Sequence, residues 1–204
     1  MRLAAALSAA IATACLSFMA LAAEAAAEPI GRVIEQTGAA FVIHDGRASP
    51  LRPGRDLDDA DRIVTAADGK VAIRFEDGSL CTIGPGSELL IGDLASPGGG
   101  WIDLVRGIVR VILAPGARAG ASGVRTRAAV ASVRSTEFVV EASLDRAAVF
   151  VASGTVEVTG RLTGATVTLG PGEGTDIGLR EPPTPVKRWG DKRVADAMAR
   201  TTIP

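Results

Sequence analysis

The chain has 204 residues, of which 47% are hydrophobic, and a net charge of −1. That length and composition suffice for one domain with a real core, and the near-neutral charge excludes a global field that attracts nucleic acid or an anionic membrane surface. With no tyrosine and one histidine, the chain also has little of the side-chain chemistry that serves catalysis or base stacking.

Residues 1–27 are predicted to be a secretory signal peptide that is removed. Arg2 gives a short positive region, residues 3–22 are apolar or small and uncharged, and small-residue cleavage tripeptides follow at 20–22 and 25–27. An uncleaved membrane anchor is the alternative, because the stretch is nearly long enough to span a bilayer. A lipoprotein site at Cys15 is disfavoured, since the apolar run continues beyond it. We therefore expect a periplasmic or secreted protein with no stable membrane span after cleavage.

Cleavage leaves Cys81 as the only cysteine, so no intramolecular disulfide is expected. Cys81 lies inside a strand pattern, and we predict a buried, unreactive thiol.

Residues 68–91 give the clearest secondary-structure signal. Val71, Ile73 and Phe75 alternate with polar or small residues, which is the period of a half-buried strand. A turn at Asp77-Gly78 and strands over residues 80–83 and 89–91 follow.

The same pattern extends along most of the chain. Further strands are predicted at residues 31–35, 39–44, 62–66, 101–105, 108–113, 128–134, 137–141, 147–151, 155–158 and 165–169. Between them lie a polar, turn-rich segment over residues 47–61, a turn at Arg106-Gly107, a break at Ser135-Thr136 and loops over residues 94–100 and 115–123. Residues 28–180 are therefore predicted to form one all-β domain of about a dozen short strands.

A weak internal repeat suggests how these strands are arranged. A glycine followed by alternating apolar residues recurs at Gly38, Gly107 and Gly154, at irregular intervals. This pattern favours a compact β-roll, a short solenoid-like stack or a sandwich over a solenoid of fixed period.

Residues 181–204 differ from the rest. A proline-rich linker over residues 181–185 leads into a short helix predicted over residues 186–200. We expect this helix to dock Trp189 on the β domain, in preference to binding a partner.

Several motifs, in this order, resemble the FecR domain, the periplasmic part of the FecR family. They are Gly31-Arg-Val-Ile34, Gly54-Arg-Asp-Leu57, Thr65-Ala-Ala-Asp-Gly69, Phe75-Glu-Asp-Gly-Ser79, Leu104-Val-Arg-Gly-Ile-Val109, Val133-Arg-Ser-Thr-Glu-Phe-Val-Val140 and Val151-Ala-Ser-Gly-Thr-Val156. The resemblance covers residues 31–175.

The resemblance implies a sensing or interaction module of a signalling system. Founding members of the family carry a cytoplasmic anti-sigma segment and a transmembrane helix before this domain, whereas this chain shows only the predicted signal peptide. The resemblance therefore does not imply the sigma-factor regulator itself. Ser135 stands where the family usually has glycine.

No metal or cofactor site is predicted. Asp56, Asp58, Asp59 and Asp61 lack the spacing of an EF-hand, so an acidic, solvated loop is favoured over a calcium site. His44 has no second histidine or cysteine partner for a metal, and nothing in its spacing aligns a nucleophile with a base.

Basic residues are concentrated between residues 101 and 134, where Asp103 is the only acidic residue. The candidate binding residues in this segment are Arg106, Arg110, Arg125, Arg127 and Arg134. The alternative is that these arginines pair with acidic residues 51–100 of the same domain.

We thus expect a non-enzymatic, exported module of the bacterial cell envelope that binds another envelope protein in signalling. The alternative is a structural or anionic-polysaccharide-binding envelope protein that acts through the arginines.

Overall fold

A computed structural model describes residues 29–91, 102–115 and 123–203. The predicted signal peptide, the loop over residues 94–100 and most of the loop over residues 115–123 lie outside these ranges. The described residues form fifteen strands and one helix: β1 Gly31–Thr37, β2 Ala40–His44, β3 Arg47–Pro50, β4 Asp56–Leu57, β5 Arg62–Thr65, β6 Lys70–Phe75, β7 Leu80–Ile83, β8 Glu88–Ile91, β9 Ile102–Ile112, β10 Gly123–Arg125, β11 Ala129–Ala142, β12 Arg146–Gly160, β13 Thr166–Leu169, β14 Glu173–Gly178, β15 Lys187–Arg188 and α1 Asp191–Arg200. The predicted all-β class with a short C-terminal helix is confirmed.

The strands form one continuous hydrogen-bonded sheet that folds over into two halves. It folds because β9, β11 and β12 each change neighbours partway along their length. Half A contains, in order of pairing, β3, β2, β5, β8, residues 102–106 of β9, β10, residues 129–134 of β11, residues 155–160 of β12 and β13. Half B contains β4, β1, β6, β7, residues 107–112 of β9, residues 137–142 of β11, residues 146–153 of β12, β14 and β15.

The main core lies between the two halves. Residues of half A such as Ile63 and Leu104 belong to the same buried cluster as Val71 and Val109 of half B. Alternate side chains of most strands point into this space, as the period of two predicts. Cys81 is among them, and its burial raises the pKa of the thiol to about 12, which bears out the predicted buried, unreactive cysteine.

Three predicted interruptions are bends within long strands. The prediction of separate strands on either side of Arg106-Gly107, of Ser135-Thr136 and of residues 152–154 was wrong, because the chain crosses there from one half to the other without reversing. Gly107 and Gly154 adopt positive φ at two of these crossings, and Gly38 does so where the chain passes from β1 to β2. The three glycines of the weak repeat are therefore corner residues.

Other strands were missed. The polar segment over residues 47–61 contains β3 and β4, while β14 and β15 follow the last strand predicted. The predicted helix begins later, at Asp191, because Lys187 and Arg188 pair with β14 before the chain turns. β3, β4 and β15 are short polar edge strands, and β14 consists mostly of glycine and polar residues, so all four show little hydrophobic periodicity.

Helix α1 covers the outer face of half B. The docking of Trp189 on the β domain is confirmed: its ring stacks on Phe150, with 5.1 Å between ring centroids. The guanidinium carbon of Arg193 lies 3.5 Å from the centroid of the Trp189 ring. The Lys70 ammonium group donates to the carbonyl oxygens of Ala199 (2.7 Å) and Thr202 (2.6 Å) at the end of the helix.

Gly107→Ala should destabilise the fold more than Gly46→Ala. Both glycines have positive φ, which costs an alanine about 1–2 kcal/mol, but of the two only Gly107 would also place the new Cβ against backbone, at Cα of Ser87. Urea unfolding of the two variants measures the difference. Equal losses of unfolding free energy would contradict the close packing of this corner.

Trp189→Ala should lower the unfolding free energy by about 3–5 kcal/mol, as expected for removal of a buried aromatic ring. Trp189→Phe is the matched control, since it keeps a ring on Phe150 and the indole N–H donates to no acceptor among the described residues. The phenylalanine variant should therefore lose clearly less. If the alanine variant unfolds like the parent chain, the packing of Trp189 on Phe150 does not stabilise the domain.

Candidate binding groove

A groove of about 410 Å³ lies where both halves contribute residues near the bend of β9. Its walls come from β9, from β10 and the turn after it, and from the turns at the two ends of β12. The lining residues are Asp103, Leu104, Val105, Arg125, Thr126, Arg127, Leu144 and Arg161.

The turn between β10 and β11 presents Arg127. The Thr126 hydroxyl accepts hydrogen bonds from the amides of Ala128 (3.2 Å) and Ala129 (2.9 Å), which closes the turn and leaves Arg127 exposed. Arg161 is tied to the same turn, because its amide donates to the Ala128 carbonyl (2.9 Å) and its Nη1 donates to the Thr126 carbonyl (3.3 Å). Two turns distant in sequence thus bring two guanidinium groups to one groove.

The groove carries more positive than negative charge. Nε of Arg125 lies 2.9 Å from Oδ1 of Asp103 and its Nη2 donates to Oδ2 at 3.2 Å, so this arginine is held by a two-point ion pair. Within the described part of the chain, neither Arg127 nor Arg161 forms an ion pair with a carboxylate. Beside them, Leu144 is 66% exposed and Val105 is also exposed.

Of the four predicted binding arginines whose side chains the structure describes, two, Arg125 and Arg127, line the groove. Arg106, on β9, lies 3.3 Å from Glu88, and Arg110 donates to Glu137 at 2.9 Å. Arg134, in β11, pairs with Thr155 of β12, and the structure does not describe the side chain of Arg134. That these five residues bind a ligand stays a prediction.

Sequence reasoning missed six of the eight described groove residues, among them Arg161, Leu144 and Val105. The only signal for Arg161 and Leu144 was their position in polar turns next to strands, where exposed side chains are common. Their proximity to Arg127 depends on the pairing of β11 with β12, which no sequence pattern indicated.

A larger cavity of about 610 Å³ lies beside α1, but most of its charges are paired within the chain. Arg193 donates to Asp176 at 2.7 Å, and Arg200 donates to Glu141 at 2.8 Å. The hydrogen bond from Arg193 is the main cause that lowers the pKa of Asp176. These contacts fasten the helix, so the smaller groove is the better binding candidate.

Residues 61–157 match the family model described as FecR protein. The chain contains a FecR domain. This range includes Arg125, Arg127, Val105 and Leu144 of the groove, whereas Arg161 follows it. The match confirms the resemblance noted from the motifs.

Two crystal structures of a candidate anti-sigma factor from Parabacteroides distasonis share the fold. One has a TM-score of 0.55 and 19% sequence identity, and the alignment covers 67% of this chain and 64% of that one. The other has a TM-score of 0.54 and 20% identity, and covers 66% and 62% respectively. This chain therefore spans less than two thirds of the length of these relatives. No curated protein matches it.

At the edge of the FecR domain, the one histidine of the chain meets a buried carboxylate. Nδ1 of His44 lies 2.7 Å from Oδ1 of Asp61, which is fully buried, and Oδ2 of Asp61 accepts the amide of Asp58 at 3.0 Å. Together with the Asp58 carboxylate these groups are close enough to hold a metal ion. The hydrogen bonds already account for the position of Asp61, however, so the geometry indicates a structural role in the turn.

None of the described helices is both long and apolar enough to cross a membrane.

The FecR domain should lose stability as the pH rises through neutrality. The hydrogen bond that His44 donates to the Asp61 carboxylate, and the negative charge of that carboxylate, hold the pKa of His44 above its usual value of 6.5. The contribution of His44 to stability is complete below the pKa that this histidine has in the unfolded chain. It is lost as the pH rises through the higher pKa of His44 in the folded chain. Urea midpoints of the untagged chain, from about pH 5.5 to about pH 8.5, measure the effect.

His44→Gln is the control, because it removes the titrating group. The stability difference between the parent chain and this variant should narrow as the pH rises. A difference that is constant with pH would show that the pair does not contribute through protonation of His44.

Proposed function

We propose that this chain is a non-enzymatic interaction or sensing module of the bacterial cell envelope, which acts in signalling by binding another protein. The observation that carries the proposal is the FecR domain together with a groove in which Arg127 and Arg161 have no carboxylate partner among the described residues. Such guanidinium groups are available to an anionic partner.

The chemistry of the groove supports binding over catalysis. Its ionisable side chains are three arginines and Asp103, which is already paired with Arg125. An arginine does not give up its proton at neutral pH, so it orients and neutralises anions but is poorly suited to general acid–base work. The Thr126 hydroxyl is engaged in its own turn.

The proposed location, the periplasm or the outside of the cell, rests on the signal-peptide pattern of residues 1–27. The core is compatible with an oxidising compartment. Cys81 is buried and its pKa is about 12, so it forms little thiolate, the species that reacts in disulfide exchange.

The alternative partner is an anionic polysaccharide, since repeated carboxylates or sulfates would also meet the exposed guanidinium groups. In that case the chain would serve a structural role in the envelope. Binding would be electrostatic and would weaken with salt.

Photo-crosslinking in a bacterium that carries the gene tests the proposal. A photoreactive residue in place of Phe41, Leu144 or Leu162 samples three exposed positions of the domain. We expect at least one position to yield a specific crosslinked protein in the envelope fraction. Recovery of nothing beyond background at all three positions, under several growth conditions, would contradict the proposed protein partner.

A further inference from the structure

We infer that the groove recognises an acidic segment of the partner protein in which an aspartate or glutamate adjoins an aliphatic side chain. This inference rests on the proposed function and names the chemistry of the partner. It follows from the way charge and apolar surface are combined in the groove.

The charged side of the groove is built to meet a carboxylate. Asp103 holds Arg125 in place and compensates its charge, whereas the guanidinium groups of Arg127 and Arg161 retain theirs. Because Arg161 is tied to the turn of Arg127 through the Thr126 carbonyl, the two groups act from one rigid base. A guanidinium group offers two parallel N–H donors to a carboxylate, which gives both charge and direction.

The apolar side of the groove distinguishes a protein segment from a polysaccharide. Leu144 and Val105 are exposed aliphatic residues beside the arginines. Covering them with another aliphatic side chain removes apolar surface from water, which favours binding. A sugar chain presents mostly hydroxyl groups and would gain little there, and none of the described residues that line the groove is aromatic.

The position of Leu144 is also well defined. It lies at the tip of the turn between β11 and β12, where the Ser143 amide donates to the Arg146 carbonyl at 2.8 Å and the Ser143 hydroxyl contacts Asp145 at 3.1 Å. Because these bonds fix the backbone on either side of Leu144, a partner that covers its side chain does not have to order the turn. The turn therefore presents a preformed apolar contact.

The test is titration of the full chain with the peptide acetyl-Glu-Leu-Glu-Leu-Glu-amide, followed by calorimetry. Arg127→Glu should weaken binding by about tenfold or more, since a charge-assisted hydrogen bond becomes a repulsion. Arg52→Glu is its matched control: Arg52 is exposed, lies outside the groove and changes the net charge equally. It should leave the affinity within about twofold.

A second pair of variants tests the apolar contact. Leu144→Ser should weaken peptide binding by roughly fivefold, whereas Leu162→Ser should not, although Leu162 is exposed to nearly the same extent, 64% against 66%. Polygalacturonate serves as the polysaccharide probe, and we expect it to bind more weakly than the peptide and without dependence on Leu144.

Three results would overturn the inference: no peptide binding, equal losses in the groove and control variants, or polygalacturonate binding that exceeds peptide binding. They are separable from failure of the proposed function. If a protein crosslinks at the Phe41 position but not at Leu144, the proposed function still holds, but this groove is not the binding site. If no position gives a crosslink, the proposed protein partner itself is contradicted.

Discussion

The fold depends on turning a continuous sheet back on itself without leaving backbone groups unpaired inside. At the bend of β9, Gly107 has no side chain, so the corner between β7 and β8 can approach closely. The fully buried Ser87 hydroxyl lies at this corner. It accepts a hydrogen bond from the amide of Ile108 at 3.0 Å and donates one to the Gly84 carbonyl at 2.8 Å. Thr65 also donates to that carbonyl, at 2.8 Å. These hydroxyls replace the sheet partners that a corner removes, so the two halves can enclose one apolar core.

The folded sheet leaves half B with a second apolar face. Ile108, Val139 and Phe150 point away from the main core, and Trp189 and α1 cover them. The continuous apolar run over residues 147–151, which does not alternate with polar residues, follows from this arrangement because that part of β12 is buried on both sides. The C-terminal helix is therefore part of the domain's packing, and the partner surface is better sought elsewhere.

The bends also create the groove. Strands that cross between halves bring the turn at Arg127, the turn at Arg161 and the tip at Leu144 to one place, although these residues are far apart in sequence. The net charge of the chain is only −1, so attraction of the proposed anionic partner would depend on this local excess of guanidinium groups. Pairing of Arg106, Arg110 and Arg125 with neighbouring carboxylates restricts that excess to a small area.

Residue patterns alone gave the all-β class, the FecR resemblance, the burial of Cys81 and the docking of Trp189, because alternation and turn residues are local properties of the chain. They did not distinguish a turn from a corner: Gly107 and Gly154 looked like strand ends, and only the pairing on either side shows that the strands continue. Nor did they separate the paired Arg106 and Arg110 from Arg127. Long-range strand register decides which arginine lies beside a carboxylate and which lies beside Arg161 and Leu144. That register is set by packing of the whole sheet.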